Sequence, residues 1–147
     1  GDEPFIHPEQ IRKVAAVLTS SGAPIATLAK LITSHEEIYN PNVVKVVFGK
    51  NMDALYFSRS PVPYLRDVRE TQWTNERAHY KHIGIYGYTS EALKMICSLP
   101  EGVLEKHEFL EQLRWLEHGL QVKIDITHLE SVSVDMPEDL LKFTNTP

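Results

Sequence analysis

Residues 82–88 read His82-Ile83-Gly84-Ile85-Tyr86-Gly87-Tyr88. A period of two sorts them into one row with His82, Gly84, Tyr86 and Tyr88 and a second with Ile83, Ile85 and Gly87. The second row is apolar and small enough for a helix to pack closely on it. The first offers an imidazole and two phenols, separated by a glycine that leaves room for something else to approach. We read the stretch as a strand with core on one face and the floor of a site on the other. The same pattern also fits a half-buried strand whose aromatic residues only pack.

Upstream, Pro8 opens a helix whose apolar residues Ile11, Val14, Ala15 and Leu18 follow the helical period, and Ser20-Ser21-Gly22 ends it. Residues 25–32 are rich in β-branched side chains and read as a strand, followed by a short helical turn at 34–39. Residues 43–48 and 54–58 are two short apolar strands, and the five residues from Gly49 to Asp53 between them suit a hairpin. Arg59 stands at the end of the second.

From 60 to 81 the texture changes to prolines and a dense set of charges, which predicts an excursion from the sheet. Trp73 and Tyr64 within it suggest an oligomer contact. After residue 88 a helix with Ser90 as N-cap runs toward Pro100. Residues 104–119 form the strongest helical pattern, with Leu110, Leu113, Leu116 and Leu120 as a buried stripe and Gly119 at its end. Glu105, Glu108 and Gln112 fall on one side with Glu111 beside them; they face a cleft, or else form a solvated face supported by a Glu111–Arg114 pair. Residues 121–127 alternate as a strand, 131–134 are strand-like, and a last helix begins at Met136.

The 147 residues fit one domain, and 42% hydrophobic with 24% charged residues is the balance of a folded chain rather than a disordered one. No apolar run approaches the roughly 18 residues of a membrane span and no signal-peptide pattern opens the chain, so a soluble, cytoplasmic protein is expected. A net charge of −5 argues against a broad nucleic-acid surface, so an anionic ligand must be met by particular arginines or by a metal. The single cysteine, Cys97, excludes an internal disulfide and lies beside Leu93 and Ile96 at helical spacing, which predicts a core position. The opening Gly1-Asp2-Glu3-Pro4 is a turn signal without the strand expected before it, as in the later part of a longer chain.

Asp-x-Pro occurs twice, at Asp2-Glu3-Pro4 and Asp135-Met136-Pro137. Each aspartate caps a turn or helix, the reading that spacing alone favours, or the two together hold one Mg²⁺. Zinc is poorly supported, because His79 and His82 are three apart on a strand and 35–39 lacks the second histidine of a zinc-protease motif. There is no Gly-rich phosphate loop and no nucleophile elbow.

Taken together, Gly1-Asp2-Glu3-Pro4, Asn40-Pro41 with Val43-Val44-Lys45-Val46-Val47, Ala54-Leu55-Tyr56-Phe57-Ser58-Arg59, His82 through Tyr88, Leu110-Glu111-Gln112-Leu113-Arg114 and Val134-Asp135-Met136-Pro137-Glu138-Asp139-Leu140 resemble, in order, the motifs of CMP-KDO synthetases (3-deoxy-manno-octulosonate cytidylyltransferases). The resemblance implies an α/β, mixed-sheet fold of the nucleotide-diphosphosugar transferase type, here incomplete. It implies activation of the acid sugar KDO with CTP, release of pyrophosphate, a role in lipopolysaccharide synthesis, and a homodimer. It further implies that Asp2 and Asp135 bind Mg²⁺ as catalytic ligands, and that Arg59, His82, Tyr86, Glu111 and Gln112 line the sugar-acid pocket. An arginine fork suits a carboxylate, while amide, carboxylate, imidazole and phenol can share hydroxyl groups.

Two departures stand out. Ser133 occupies a position where the family usually has glycine. The family's N-terminal half, with the arginine- and lysine-bearing loop that holds the CTP phosphates, has no counterpart here, so the chain alone is expected to be inactive. CMP-sialic acid synthetases are the same-class alternative, and a non-catalytic sugar-acid-binding or assembly module is the different-class one.

Overall fold

The computed structural model describes residues 7–130. The expectations for Asp2, Ser133, Asp135, the strand at 131–134 and the last helix lie outside the described residues.

The described residues form five strands and five α-helices: α1 (Pro8–Ser21), β1 (Ile25–Leu31), α2 (His35–Tyr39), β2 (Lys45–Phe48), β3 (Ala54–Ser58), β4 (Tyr80–Tyr88), α3 (Ser90–Ile96), α4 (Val103–Glu108), α5 (Gln112–Glu117) and β5 (Val122–Ile126). Strand order is β3-β2-β4-β1-β5. β1 runs antiparallel to β4 and parallel to β5, and β2 is antiparallel to both its neighbours. The result is the mixed sheet that the sequence predicts.

β4 carries the two faces expected of it. Ile83 and Ile85 pack with Ala26 and Leu28 of β1 under Val14 and Leu18 of α1. Gly87 lies where the helix comes closest: a Cβ there would stand 2.7 Å from Val14 Cγ1. On the opposite face Tyr88 joins Ile25, Phe57, Leu113, Trp115, Val122 and Ile124 in the main core.

The β2–β3 hairpin turns through Gly49 and Met52, whose φ of 68° is left-handed. Its tip reaches the far side of the sheet. Ile124 N–H donates to Met52 O (2.8 Å), Gln121 Nε2 donates to Asp53 (2.7 Å), and Lys123 pairs with Asp53 (2.9 Å). The two ends of the sheet are thereby joined around the main core.

Within the β1–β4 ladder the register shifts: Thr27 faces Tyr86, but the next residue, Leu28, faces Ile83. Gly84 and Ile85 are therefore extra residues on β4, a bulge that interrupts the ladder. The buried Thr27 hydroxyl sits against it, 2.7 Å from Ile85 O and 3.1 Å from Ile83 O.

Five expectations are corrected. Residues 104–119 are two helices rather than one, broken at Phe109 (φ 55°), because Glu108 turns to bond β3 while the Glu117 carboxylate accepts the N–H groups of Val103, Leu104 and Glu105 at the start of α4. Arg114 pairs in bidentate fashion with Glu105 of α4, across the break, rather than with Glu111. Trp73 is buried, 2% exposed, against Ile32 and Ile38 and stacked on His79, so the 60–81 excursion has its own small core and Trp73 is no surface contact. Cys97 is exposed: α3 ends at Ile96, and only Ala92, Leu93 and Ile96 reach the core. The N-cap of α3 is Thr89 rather than Ser90, its hydroxyl accepting from Ala92 N–H.

The approach of α1 makes the two β4 glycines inequivalent. Gly87→Ala is expected to destabilise the protein by about 1–3 kcal/mol through overpacking against Val14. Gly84→Ala, whose Cβ would meet nothing within 4 Å, should stay within about 0.5 kcal/mol. Urea unfolding of the two variants measures the difference, and equal effects would contradict the packing.

Candidate functional site

Arg59 closes β3, and three segments converge on it. Its N–H donates to the Glu108 carboxylate (2.9 Å), which also accepts from Ser58 (2.7 Å) and Tyr56 (3.1 Å). Its guanidinium donates from Nε to Glu108 O (2.6 Å), from Nη1 to Pro41 O (2.9 Å) and from Nη2 to Phe109 O (3.2 Å). The left-handed turn at Phe109 is what frees those carbonyls from helical bonding. A guanidinium has about five N–H donors, so among the described residues one on each terminal nitrogen is without a partner.

Arg59 O is held in turn by Lys45 Nζ (3.1 Å), which also donates to Asn40 O and Val43 O at 2.8 and 2.7 Å. Lys45 is fully buried. Burial pushes its ammonium down to about 8, and Glu37 pulls the other way. A charged group with three carbonyl acceptors is satisfied, and here it pins the 40–43 loop to the end of β3.

The polar row of β4 joins this corner through aromatic contacts. His82 packs edge-on to Phe57 (4.9 Å between ring centroids) and against Tyr86 (5.2 Å), and Tyr86 meets Trp115 of α5 at 5.0 Å. Glu111, exposed at the N-cap of α5, is close enough to Tyr86 for its charge to act on the phenol, and Gln112, the first residue of that helix, is buried. Burial raises Tyr86 well above the usual phenol value, with the Tyr88 phenol and the Glu111 charge adding to it. Burial also pushes the His82 imidazole down to about 3. Both groups are neutral near pH 7.

Thus the structure brings His82 and Tyr86 together with Glu111 near them, and ties Arg59 to Glu108 and Phe109 just before Glu111 and Gln112 in the chain. Among the described residues, His82 Nδ1, the Tyr86 hydroxyl and the Gln112 amide make no hydrogen bond. None of them is sealed from solvent, since the fully buried unpaired polar side-chain atom found among those residues is His79 Nδ1. An adjoining cavity of about 570 Å³ is lined by His82, Gly84, Lys81, Glu37, Asn42 and Glu130. Lys81 pairs there with both Glu37 and Glu130.

Three residues that hold this arrangement were not singled out in the sequence: Thr27, Lys45 and Lys81. Thr27 and Lys45 carried a signal, each a polar residue inside an otherwise apolar strand. Glu108 was grouped with Gln112 as cleft-facing, but its carboxylate is committed to β3; Glu105 is committed to Arg114. His79 and His82 have separate partners, Pro63 O for one and the Thr27 hydroxyl for the other. Among the described residues no group of three or more His, Cys, Asp or Glu is placed to hold a metal ion.

Comparison with known proteins bears on this geometry. The family model described as cytidylyltransferase matches residues 1–126. A 3-deoxy-manno-octulosonate cytidylyltransferase of Parabacteroides distasonis is 47% identical over 146 residues, covering 97% of this chain and 58% of the relative. One of Cytophaga hutchinsonii is 46% identical, covering 99% and 58%. Among solved structures, a CMP:2-keto-3-deoxy-manno-octonic acid synthetase complexed with CTP superposes with a TM-score of 0.79 at 38% identity, over 96% of this chain and 56% of that one. The chain thus spans less than two thirds of the length of the relatives it matches.

The Glu108 knot gives an acid-dependent prediction. Desolvation works to raise its carboxyl, but bonds from Arg59 N–H, Ser58 and Tyr56, with the Arg59 charge, together hold it below the ordinary value. A folded-state pKa below the unfolded one adds stability above the unfolded value, about 4.3, and that stability is lost as pH falls through the folded one. Glu108→Gln should therefore cost about 1–3 kcal/mol at pH 7, with the gap to the parent shrinking below about pH 4. Urea midpoints across that range check it; a pH-independent gap would contradict a charged knot.

Proposed function

This chain belongs to the cytidylyltransferase family, and we propose that it supplies the acid-sugar side of a 3-deoxy-manno-octulosonate cytidylyltransferase, which joins KDO to CMP using CTP and releases pyrophosphate. One observation carries the sugar assignment. Among the described residues His82 Nδ1, the Tyr86 hydroxyl and the Gln112 amide make no hydrogen bond, and Arg59 keeps two N–H donors without a partner. Similarity to relatives of that name supports the choice of sugar.

The charges suit a monocarboxylic polyol. Arg59 meets the carboxylate, held by its three backbone acceptors so that little ordering remains to be done on binding. His82 and Tyr86 are neutral and offer hydrogen bonds without competing for the carboxylate. Glu111 carries negative charge at the other end, where it accepts from hydroxyls and disfavours a reversed sugar. So oriented, the anomeric hydroxyl attacks the α-phosphorus of CTP in line. The new P–O bond forms as the bond to the bridging oxygen breaks, the hydroxyl proton is released, and pyrophosphate departs. The contribution of these residues is proximity and orientation, which can amount to about 7–11 kcal/mol when fully realised.

Asp2 and Asp135, outside the described residues, are proposed as Mg²⁺ ligands. A bound Mg²⁺ would offset the negative charge on the phosphates. We extend the same reading to lipopolysaccharide synthesis, a cytoplasmic location and a homodimer; among the described residues no helix is long and apolar enough to cross a membrane.

The direct test is pyrophosphate release from CTP and KDO by the full-length protein. In it, Arg59→Lys should raise the KM for KDO by about tenfold or more, the loss of one bidentate contact, while the KM for CTP changes little. Equal effects on both substrates would remove Arg59 from the sugar pocket. Asp135→Asn should abolish most turnover and leave the fold intact, since the amide keeps capping geometry but lacks the charge. Near-normal activity with unchanged Mg²⁺ dependence would return Asp135 to a cap.

A further inference from the structure

His82 Nε2 lies 2.9 Å from Thr27 Oγ1, and the same oxygen is 2.7 Å from Ile85 O and 3.1 Å from Ile83 O. A hydroxyl has one proton, whereas a carbonyl oxygen only accepts. If Thr27 gave its proton to the imidazole, its oxygen would lie against two carbonyl oxygens with no hydrogen between them, all in a fully buried position. That arrangement sets oxygen lone pairs against one another and is repulsive. The proton therefore goes to the carbonyls, and the hydroxyl lone pair receives a proton from His82.

We propose that Thr27 is a positioning residue that fixes His82 as the Nε2–H tautomer, so that Nδ1 is presented as a hydrogen-bond acceptor to a bound ligand hydroxyl. The tautomer follows from the geometry alone; only the identity of the hydroxyl, as one belonging to an acid sugar, rests on the proposed function. The source of the constraint is the β4 bulge, which turns the Ile83 and Ile85 carbonyls onto one hydroxyl. Nδ1 has no partner among the described residues and is not sealed. Burial keeps the ring neutral in the physiological range, so the choice of tautomer decides what the ligand meets. His79 shows the opposite outcome three residues earlier. Its Nε2 donates to Pro63 O and its Nδ1 is shut inside the protein, where no ligand reaches it. An acceptor at His82 Nδ1 favours ligand O–H and N–H groups and opposes a carboxylate or carbonyl oxygen, which steers an acid group toward Arg59 instead.

The test is nitrogen NMR on the protein labelled with ¹⁵N-histidine, with the His82 signals assigned by their loss in His82→Gln. The expected result at pH 7 is a neutral ring protonated on Nε2, with a nuclear Overhauser contact between that proton and the Thr27 side chain. Thr27→Ser should retain both. Thr27→Val, which removes the acceptor, should lose the pure Nε2–H signature. An Nδ1–H or doubly protonated ring in the parent, a changed tautomer in Thr27→Ser, or an unchanged one in a folded Thr27→Val would overturn the proposal. Should Thr27→Val fail to fold, the parent's Overhauser contact decides alone, its absence counting against Thr27. The predicted tautomer in a full-length protein that does not bind KDO would count against the sugar reading and not against Thr27.

Discussion

Glu108 and Arg59 hold each other twice, side chain to backbone in both directions, and the corner that carries the site depends on that reciprocity. The carboxylate fixes the last residues of β3, and the guanidinium stops the carbonyls of Glu108 and Phe109 from continuing the helix. Because the helix stops, a new one begins at Gln112, and its Trp115 meets Tyr86 and Tyr88 of β4. Charge-assisted hydrogen bonds of this kind are stronger than neutral ones, and several of them close on one residue. Lys45 completes the arrangement from the other side, so that main-chain position and side-chain direction of Arg59 are set by separate partners.

Much of the fold was readable because it follows local rules. The two rows of β4, the helix from Pro8, the hairpin and its five-residue loop are matters of period and punctuation, and they stand as expected. The failures share a cause in distant partners. The leucine stripe keeps its period across 104–119, so nothing local marks Phe109 as left-handed; demand from β3 decides it. Trp73 sits among charges in sequence, while the residues that bury it, Ile32 and Ile38, lie far upstream. Cys97 shares a helical spacing with Leu93, but the helix ends before that spacing applies. For the site, the five residues proposed to line the pocket were named through ordered motifs, not through spacing. Thr27 was not, because a bulge is a property of two strands together.

The pocket side chains divide by charge in a way that burial enforces. His82 and Tyr86 are kept neutral by the same desolvation that seats their rings in the aromatic row. Charge remains with Arg59 and Glu111, at the margins where water still reaches. On the proposed reading, an apolar setting would serve recognition twice, by packing against a ligand and by leaving only one end of it to meet a cation.

The parallel pairing of β1 with β5 has a kinetic consequence. β5 comes late in the chain, and the hairpin tip that it anchors makes bonds across 68 and 72 residues. During synthesis from the N-terminus, β1, the hairpin and β4 all emerge before the strand that joins both ends of the sheet. Loop closures of that length are slow relative to local structure, and an unpaired strand edge can pair with another chain in the interval. The Lys123 contacts with Asn51 and Asp53 therefore belong to a late step, one that ties the hairpin tip to the last strand of the described sheet.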